Sequence, residues 1–248
     1  MPEEQEAHAA RPVNGPADLD LRADCANCFA LCCVAPAFSV SSDFAIDKPA
    51  GQPCQHLQAD FRCGIHSDLP QRGFTGCTLF DCFGAGQKVS QVTFGGRDWR
   101  RDPGVAEQMF AVFAIMRDLH DLLWYLTNAL NLRPAGPLHG ELSAAIVETE
   151  RLTHHDAAAL LRLDVGTHRQ KVGVLLLRAG DLVRAEVLGT FVTDPAASLS
   201  AHDLAQETGL EIGSLKPILT RLVRARWITM QDGPTGRHYI LTEQGASL

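Results

Sequence analysis

Gly213-Ser-Leu-Lys-Pro217-Ile-Leu-Thr-Arg221-Leu-Val-Arg-Ala-Arg226-Trp227-Ile-Thr-Met-Gln231 is the stretch whose reading decides the fold of the C-terminal part of the chain. Leu215, Ile218, Leu219, Leu222 and Val223 recur at i, i+3, i+4, i+7 and i+8, which is one face of an α-helix. Ser214 is the expected N-cap. Pro217 is expected in the first turn, where a missing N–H costs little because those donors have no helical partner. Lys216, Thr220, Arg221 and Arg224 fall mainly off the apolar face, and residues 214–226 hold four bases and no acid.

Working outward, Ser200-Ala-His-Asp203 caps a short helix over 204–207 that ends at Thr208-Gly209. Downstream, Trp227-Ile-Thr-Met-Gln231 and Arg237-His-Tyr-Ile-Leu241 read as two strands joined by the loop Asp232-Gly-Pro-Thr-Gly236. Helix, turn, basic helix and hairpin predict a winged helix-turn-helix whose second helix enters the major groove of double-stranded DNA. The expected DNA contacts are Ser214, Lys216, Thr220, Arg221 and Arg224 on that helix and Arg237 on the wing. The stretch resembles the PadR-like and MarR-like winged-helix repressors through Val187-Leu-Gly189, Gly213-Ser-Leu-Lys-Pro217-Ile-Leu-x-Arg221-Leu, Trp227-Ile and Tyr239-Ile-Leu-Thr242-Glu-x-Gly245. The resemblance covers about 184–246 and implies a DNA-binding regulator. Lys216 stands where that family usually has tyrosine, so base preference does not transfer. The family's C-terminal dimerisation helix has no counterpart before Leu248, which assigns homodimerisation to the helices further upstream.

Those helices occupy a middle region over 103–183. After Asp102-Pro103-Gly104, residues Met109, Val112, Met116, Leu119, Leu123, Leu126 and Leu130 alternate spacings of three and four. Phe110, Phe113, Ile115 and Leu122 widen the stripe, which predicts a buried bundle helix rather than an isolated zipper, ending near Asn131. A second helix is expected over about 138–163. A third starts near Thr167, with Val172, Leu176, Ala179, Val183 and Val187 on one face. Gly173, Gly180 and Gly189 weaken it by about 1 kcal/mol each relative to alanine, so a break is allowed.

All eight cysteines lie between Cys25 and Cys82, with none in the remainder of the 248 residues. Such asymmetry marks a local device in 18–102, not a whole-chain disulfide framework. The order is Cys25-x2-Cys28-x3-Cys32-Cys33, Cys54-x-His56, Cys63-x2-His66 and Cys77-x4-Cys82. Thiolates two to four residues apart turn onto one soft cation without strain, and zinc is the usual occupant. Eight thiols exceed one tetrahedral site, so two ions, one ion with spare thiols, or an iron–sulfur cluster are open readings. Cys25, Cys28, Cys32, Cys33, Cys54, Cys63, His66, Cys77 and Cys82 are the candidate ligands. Buried free thiols and a redox dithiol are the competing readings. The second lacks a strand before Asp24-Cys-Ala-Asn-Cys28.

Residues 20–86 resemble a family of cysteine-cluster domains that chelate zinc or iron. The resemblance is carried by the cysteine head and by Pro53-Cys54-Gln-His-Leu57, Arg62-Cys63-Gly-Ile-His66 and Cys77-Thr-Leu-Phe80-Asp-Cys82. Phe29-Ala30-Leu31 separates Cys28 from Cys32 where that family has two residues. The resemblance implies metal binding and no particular reaction.

Charge and address complete the expectations. The chain carries a net −7, yet 195–248 holds five acids and five bases, so acidity belongs to the first 194 residues. A uniformly basic nucleic-acid coat is excluded. Residues 1–17 read as an acidic disordered leader, without the basic and apolar regions of a signal peptide. No apolar run approaches the about 20 residues of a membrane span. The expected architecture is therefore mainly α, for a cytoplasmic protein without membrane contact. It comprises a cysteine-rich metal-binding domain (18–102), a helical middle (103–183) and a C-terminal winged helix-turn-helix (184–248). The expected function is a DNA-binding transcriptional regulator, responsive to metal or redox state. The competing expectation is an enzyme or assembly factor with a metal or Fe–S centre and an accessory winged helix. No paired carboxylates, Ser/His/Asp order or phosphate loop supports an enzyme.

Overall fold

Helix α4 (Pro103–Leu130) shows how the apolar stripe becomes a core. Met109, Val112, Met116, Leu119, Leu123 and Leu126 are all fully buried, as a bundle helix requires and a two-stranded zipper does not. Proline opens the helix, where its missing N–H is free of cost. The computed structural model describes residues 19–194, 197–233 and 236–247; the leader expected over 1–17 lies outside them. Among the described residues the chain is mainly helical, with one three-stranded antiparallel sheet.

Two compact units divide the chain. One runs to Trp124 and takes in 145–165; the other comprises 125–144 and everything from Gly166 onward. Two of the three boundaries fall inside α4 and inside α5 (His139–Thr153), and the third lies between Val165 and Gly166.

The first unit begins with short elements: α1 (Leu31–Val34), α2 (Thr75–Leu79) and α3 (Ala85–Gln87), the last running directly into a π-helical segment at Lys88–Thr93. Its core joins Leu31 and Val34 to Val89, Phe94 and Trp99, to the first half of α4, and to Leu152 and Leu160. Each such side chain contributes about 1.5–3 kcal/mol of apolar burial. A satellite cluster of Ile65, Leu69 and Phe74 packs with Phe38, Phe44 and Ile46. An added Cβ at Gly76 would collide with the Phe44 ring. The helix expected over 138–163 is two helices. α5 stops at Thr153, and Asp156 caps α6 (Ala157–Leu161) by accepting the Ala159 N–H at 2.8 Å. A side-chain cap outcompetes continuation through two histidines.

In the second unit, α7 (Val165–Thr193) runs unbroken through Gly173, Gly180 and Gly189. Its buried face is Val172, Leu175, Ala179, Val183, Val187 and Phe191. Leu175, not Leu176, completes the three-and-four spacing, and Leu176 is half-buried. Strand β1 (Leu199–Ser200) leads into α8 (Ala201–Thr208), then α9 (Ile212–Arg224) and the hairpin β2 (Ile228–Gly233) and β3 (Gly236–Leu241). The sheet order is β1-β3-β2, with Leu199 opposite Tyr239 and Ile228 opposite Leu241. Val183, Val187 and Phe191 share a core with Leu204, Leu210, Leu215, Leu219, Leu222 and Ile228.

Candidate metal centre and candidate nucleic-acid interface

The cysteine head is held in place by side chains rather than by regular structure. Asp24 accepts the N–H groups of Ala26 and Asn27 at 3.1 and 3.3 Å, closing the turn that carries Cys25. Gln87 takes the Asp24 N–H at 3.1 Å and donates to the Arg22 carbonyl at 2.7 Å. Within the π-helical segment, Gln91 donates to the Asn27 carbonyl at 2.8 Å, and the buried Ser90 hydroxyl accepts the Phe29 N–H at 3.2 Å. The Trp99 indole donates to the Phe29 carbonyl at 2.8 Å. Seven backbone groups of an irregular loop are thereby satisfied without a ladder. A π-turn widens the helix, and here its side chains reach the head on one side.

Four thiols face one small cavity. Cys25, Cys28, Cys32 and Cys82 line it together with Asp24, Gln87 and Phe113. A Cβ added at Gly86 would lie 2.6 Å from the Cys28 sulfur and 3.7 Å from that of Cys82, so only glycine admits both. The Cys28 sulfur accepts backbone N–H groups from Leu31 and Ala30. Ala30 takes the left-handed conformation, φ 53°, that aims them. Cys32 and Cys33 are neighbours on α1, with their sulfurs 3.9 Å apart.

Elsewhere the backbone gathers a second group. Cys54 donates its N–H to the Cys33 carbonyl at 2.9 Å, and Leu57 bridges to Cys63 across a tight loop. The Cys63 sulfur accepts the Ile65 N–H. Cys77 sits on α2, where the charges of Cys33, Cys54 and Cys63 all reach it. Lys48 is 96% buried, and its ammonium donates to the carbonyls of Val34, Pro49 and Gln52 at 3.1, 3.1 and 3.0 Å. No carboxylate pairs with it among the described residues; the groups that feel its charge are Cys54 and Cys33.

Burial pushes the Cys28 thiol up to about 11, against the pull of its two N–H donors. Burial and then repulsion from Cys33, Cys54 and Cys63 push Cys77 up to about 11. Burial raises Cys25 and Cys63 as well. The hydrogen bond between Cys32 and Cys33 raises the first and lowers the second; burial raises both, and Lys48 helps to lower Cys33. Raised thiols keep their protons at neutral pH, so a cation must displace them.

All eight cysteines are free thiols, with Cys25 and Cys77 exposed. Among the described residues no three Cys, His, Asp or Glu side chains already converge as a closed ligand set. The donors nonetheless fit a soft cation: thiols with N–H···S support, a glycine cradle and a buried counter-charge. His66 is exposed, and His56 packs edge-on against Phe74 with ring centroids 5.2 Å apart. Lys48, Gly86 and the residues that clamp the head were not among the sequence candidates. Only the two glycines flanking Ala85 hinted at close approach.

The second unit carries the basic helix. Ser200 and Asp203 cap α8 reciprocally, the Asp203 N–H meeting Ser200 Oγ at 3.2 Å and the Ser200 N–H meeting Asp203 Oδ2 at 2.8 Å. α8 therefore starts at Ala201, with Asp203 inside it. Gly209, at φ 67°, makes the turn, and Arg133 caps the end of α8 through the Thr208 and Glu207 carbonyls at 3.1 and 2.9 Å. The N-cap of α9 is Glu211, not Ser214, and Pro217 stands in the second turn rather than the first. Leu210, just before the helix, is buried in the core that Leu215 and Leu219 share, whereas Ile212 at the first helical position is exposed.

Leu215, Leu219 and Leu222 point into the core, while Ser214, Lys216, Thr220, Arg221 and Arg224 are all exposed. Among the described residues Lys216, Arg221 and Arg224 make no ion pair. Arg237 is exposed but lies 3.7 Å from Asp232, its partner in the hairpin register. The Thr242 hydroxyl ties the end of the hairpin back to the turn after α9, donating to the carbonyls of Arg226 and Trp227 at 2.6 and 2.9 Å. Residues 234 and 235, in the expected hairpin loop, lie outside the described residues.

No family model matches this chain, and no solved structure matches it. A curated protein of Bacillus subtilis (strain 168), Uncharacterized protein YybG, is 52% identical to it over 167 residues. The match takes in 67% of this chain, which spans 60% of that protein's length. No helix of the described residues is long and apolar enough to cross a membrane.

Proposed function

We propose that the protein is a DNA-binding transcriptional regulator whose cysteine-rich N-terminal region binds zinc or iron. In this reading α8, α9 and the β2–β3 hairpin are a winged helix-turn-helix of PadR- or MarR-like type. One observation carries it: α9 buries Leu215, Leu219 and Leu222 and leaves Lys216, Arg221 and Arg224 exposed on the other side, with no ion pair among the described residues. Unpaired cations on the outer face of the second helix are the footprint needed to meet phosphates and base edges. Metal loading of the cysteine region is the proposed input. Such sites couple binding to folding because their binding free energy is folding free energy. The protein acts as a cytoplasmic homodimer, and exposed Val174 and Leu177 on α7 support pairing through the helical middle.

Selection from a randomised duplex pool, followed by fluorescence anisotropy on the enriched sequence, tests the proposal. The wild type is expected to enrich a discrete, two-fold related sequence, and Lys216→Ala/Arg221→Ala to lose it. Absence of enrichment, or binding indifferent to sequence and to the double substitution, would sink the regulator reading.

A further inference from the structure

We infer that the eight cysteines form two adjacent four-thiol metal sites, Cys25/Cys28/Cys32/Cys82 and Cys33/Cys54/Cys63/Cys77, with the Cys32-Cys33 dipeptide divided between them. This rests on the metal-binding part of the proposed function and goes beyond it by naming which thiols share an ion.

The first set stands on one cavity, whose four sulfur-bearing residues are these four. Two of them press on the same glycine, Gly86. The second set stands on backbone links: Cys54 is hydrogen-bonded to Cys33 at 2.9 Å, and the loop from Cys54 returns at Cys63 through the Leu57 bridge. Cys77 is within electrostatic reach of all three. Consecutive residues on a helix project about 100° apart. Cys32 can therefore face Cys28 and Cys82 while Cys33 faces Cys54.

The two sets share a construction. Each contains one sulfur that accepts backbone N–H bonds, Cys28 from Leu31 and Ala30 and Cys63 from Ile65. Such bonds support a thiolate and fix its direction. A divalent ion with four thiolates leaves two negative charges, and Lys48 places a buried positive charge beside Cys33 and Cys54. The 3.9 Å approach of the Cys32 and Cys33 sulfurs is where the two sites adjoin. His66, exposed at the surface, belongs to neither.

The test uses the full-length apoprotein, reduced and anaerobic, titrated with Co2+. Thiolate-to-cobalt charge transfer and tetrahedral d–d bands are expected to grow to two ions per chain. Cys28→Ser/Cys82→Ser and Cys63→Ser/Cys77→Ser should each retain one ion with a four-thiolate spectrum. Because either variant can misfold, the wild type is also loaded with one equivalent of Co2+, alkylated and mapped by mass spectrometry. Each singly loaded molecule should protect four cysteines from one set, never Cys32 together with Cys33. A single ion, loss of both ions in either variant, or joint protection of Cys32 and Cys33 overturns the division. Absence of any thiolate–cobalt band in the wild type overturns the metal reading itself, and is distinguishable from the other failures.

Discussion

The cysteine region and the C-terminal helices with their hairpin solve the same problem by opposite means. Between Cys25 and Cys82 the longest helix has five residues, and the backbone is satisfied by Asp24, Lys48, Gln87, Ser90 and Trp99 reaching across the chain. From Ser200 to Leu241 the backbone satisfies itself through a capping box, a 13-residue helix and a strand ladder. Regular elements use their polar groups locally and leave apolar faces free to make a core. An irregular chain has few such faces, and small regions of this kind depend on cross-links or metals. One region should therefore depend on a bound ion and the other on packing.

The largest expected effect separates the two outright. Stripping metal with a chelator under reducing conditions should raise amide hydrogen exchange across residues 24–82 by orders of magnitude. Structural zinc sites are worth about 10–16 kcal/mol. Exchange over 204–241 should not change; equal loss in both regions would erase the contrast. The converse is Leu219→Ala, which empties a fully buried position of α9. It should cost about 2–5 kcal/mol, read by denaturant melting of the C-terminal unit, with Co2+ stoichiometry unaltered. Third, Lys216→Ala/Arg221→Ala should weaken specific DNA binding by about 1–3 kcal/mol for each base edge left unread. Where a cation meets phosphate instead, the salt slope should fall by roughly 0.9 per phosphate. Circular dichroism should be unchanged in both cases.

The smallest effect concerns pH and belongs to the first unit. His120 is buried, its Nδ1 lies 2.6 Å from the Phe83 carbonyl, and its Nε2 has no partner among the described residues. Burial lowers its pKa, while Lys88, Glu150 and Asp20 contribute opposing charges around it. The folded state therefore stays neutral where the unfolded chain takes up a proton. Stability should fall as pH drops below about 6.5, by at most about 1.4 kcal/mol per pH unit. Glu150, raised by burial but drawn down further by Lys88 and His154, loses its contribution at lower pH still. His120→Asn should flatten the first of these two phases in melts between neutral and mildly acidic pH. An unchanged slope would remove His120 as its source.

What was legible in the sequence follows the same divide. The stripe from Met109 to Leu126, the apolar face of α9 and the hairpin all come from periodicity, because a buried face repeats with its element. Errors arose at helix ends and at the edge of a buried face. The Asp156 side chain cut the second helix, while α9 begins after Glu211 without any side-chain cap and Leu175 replaced Leu176 on α7. In the cysteine region the cysteines and their spacings were readable, but not the division of thiols proposed above. That division depends on through-space approaches, such as Gly86 against Cys28, which have no sequence period. The burial of Lys48 was likewise hidden, since nothing in Asp47-Lys-Pro49 announces three carbonyls waiting for one ammonium.

The π-helical segment also makes this region sensitive to length. A π-turn holds one residue more than an α-helical turn over the same rise. Deleting exposed Val92 would let the segment relax into an ordinary helix, chemically unremarkable and locally more regular. It would also rotate everything beyond by about 100° relative to everything before. Gln87, Ser90 and Gln91 grip the cysteine head from one side of that point and Trp99 from the other. One missing codon at an unburied position would thus pull apart the hydrogen bonds that hold the cysteine head from both sides.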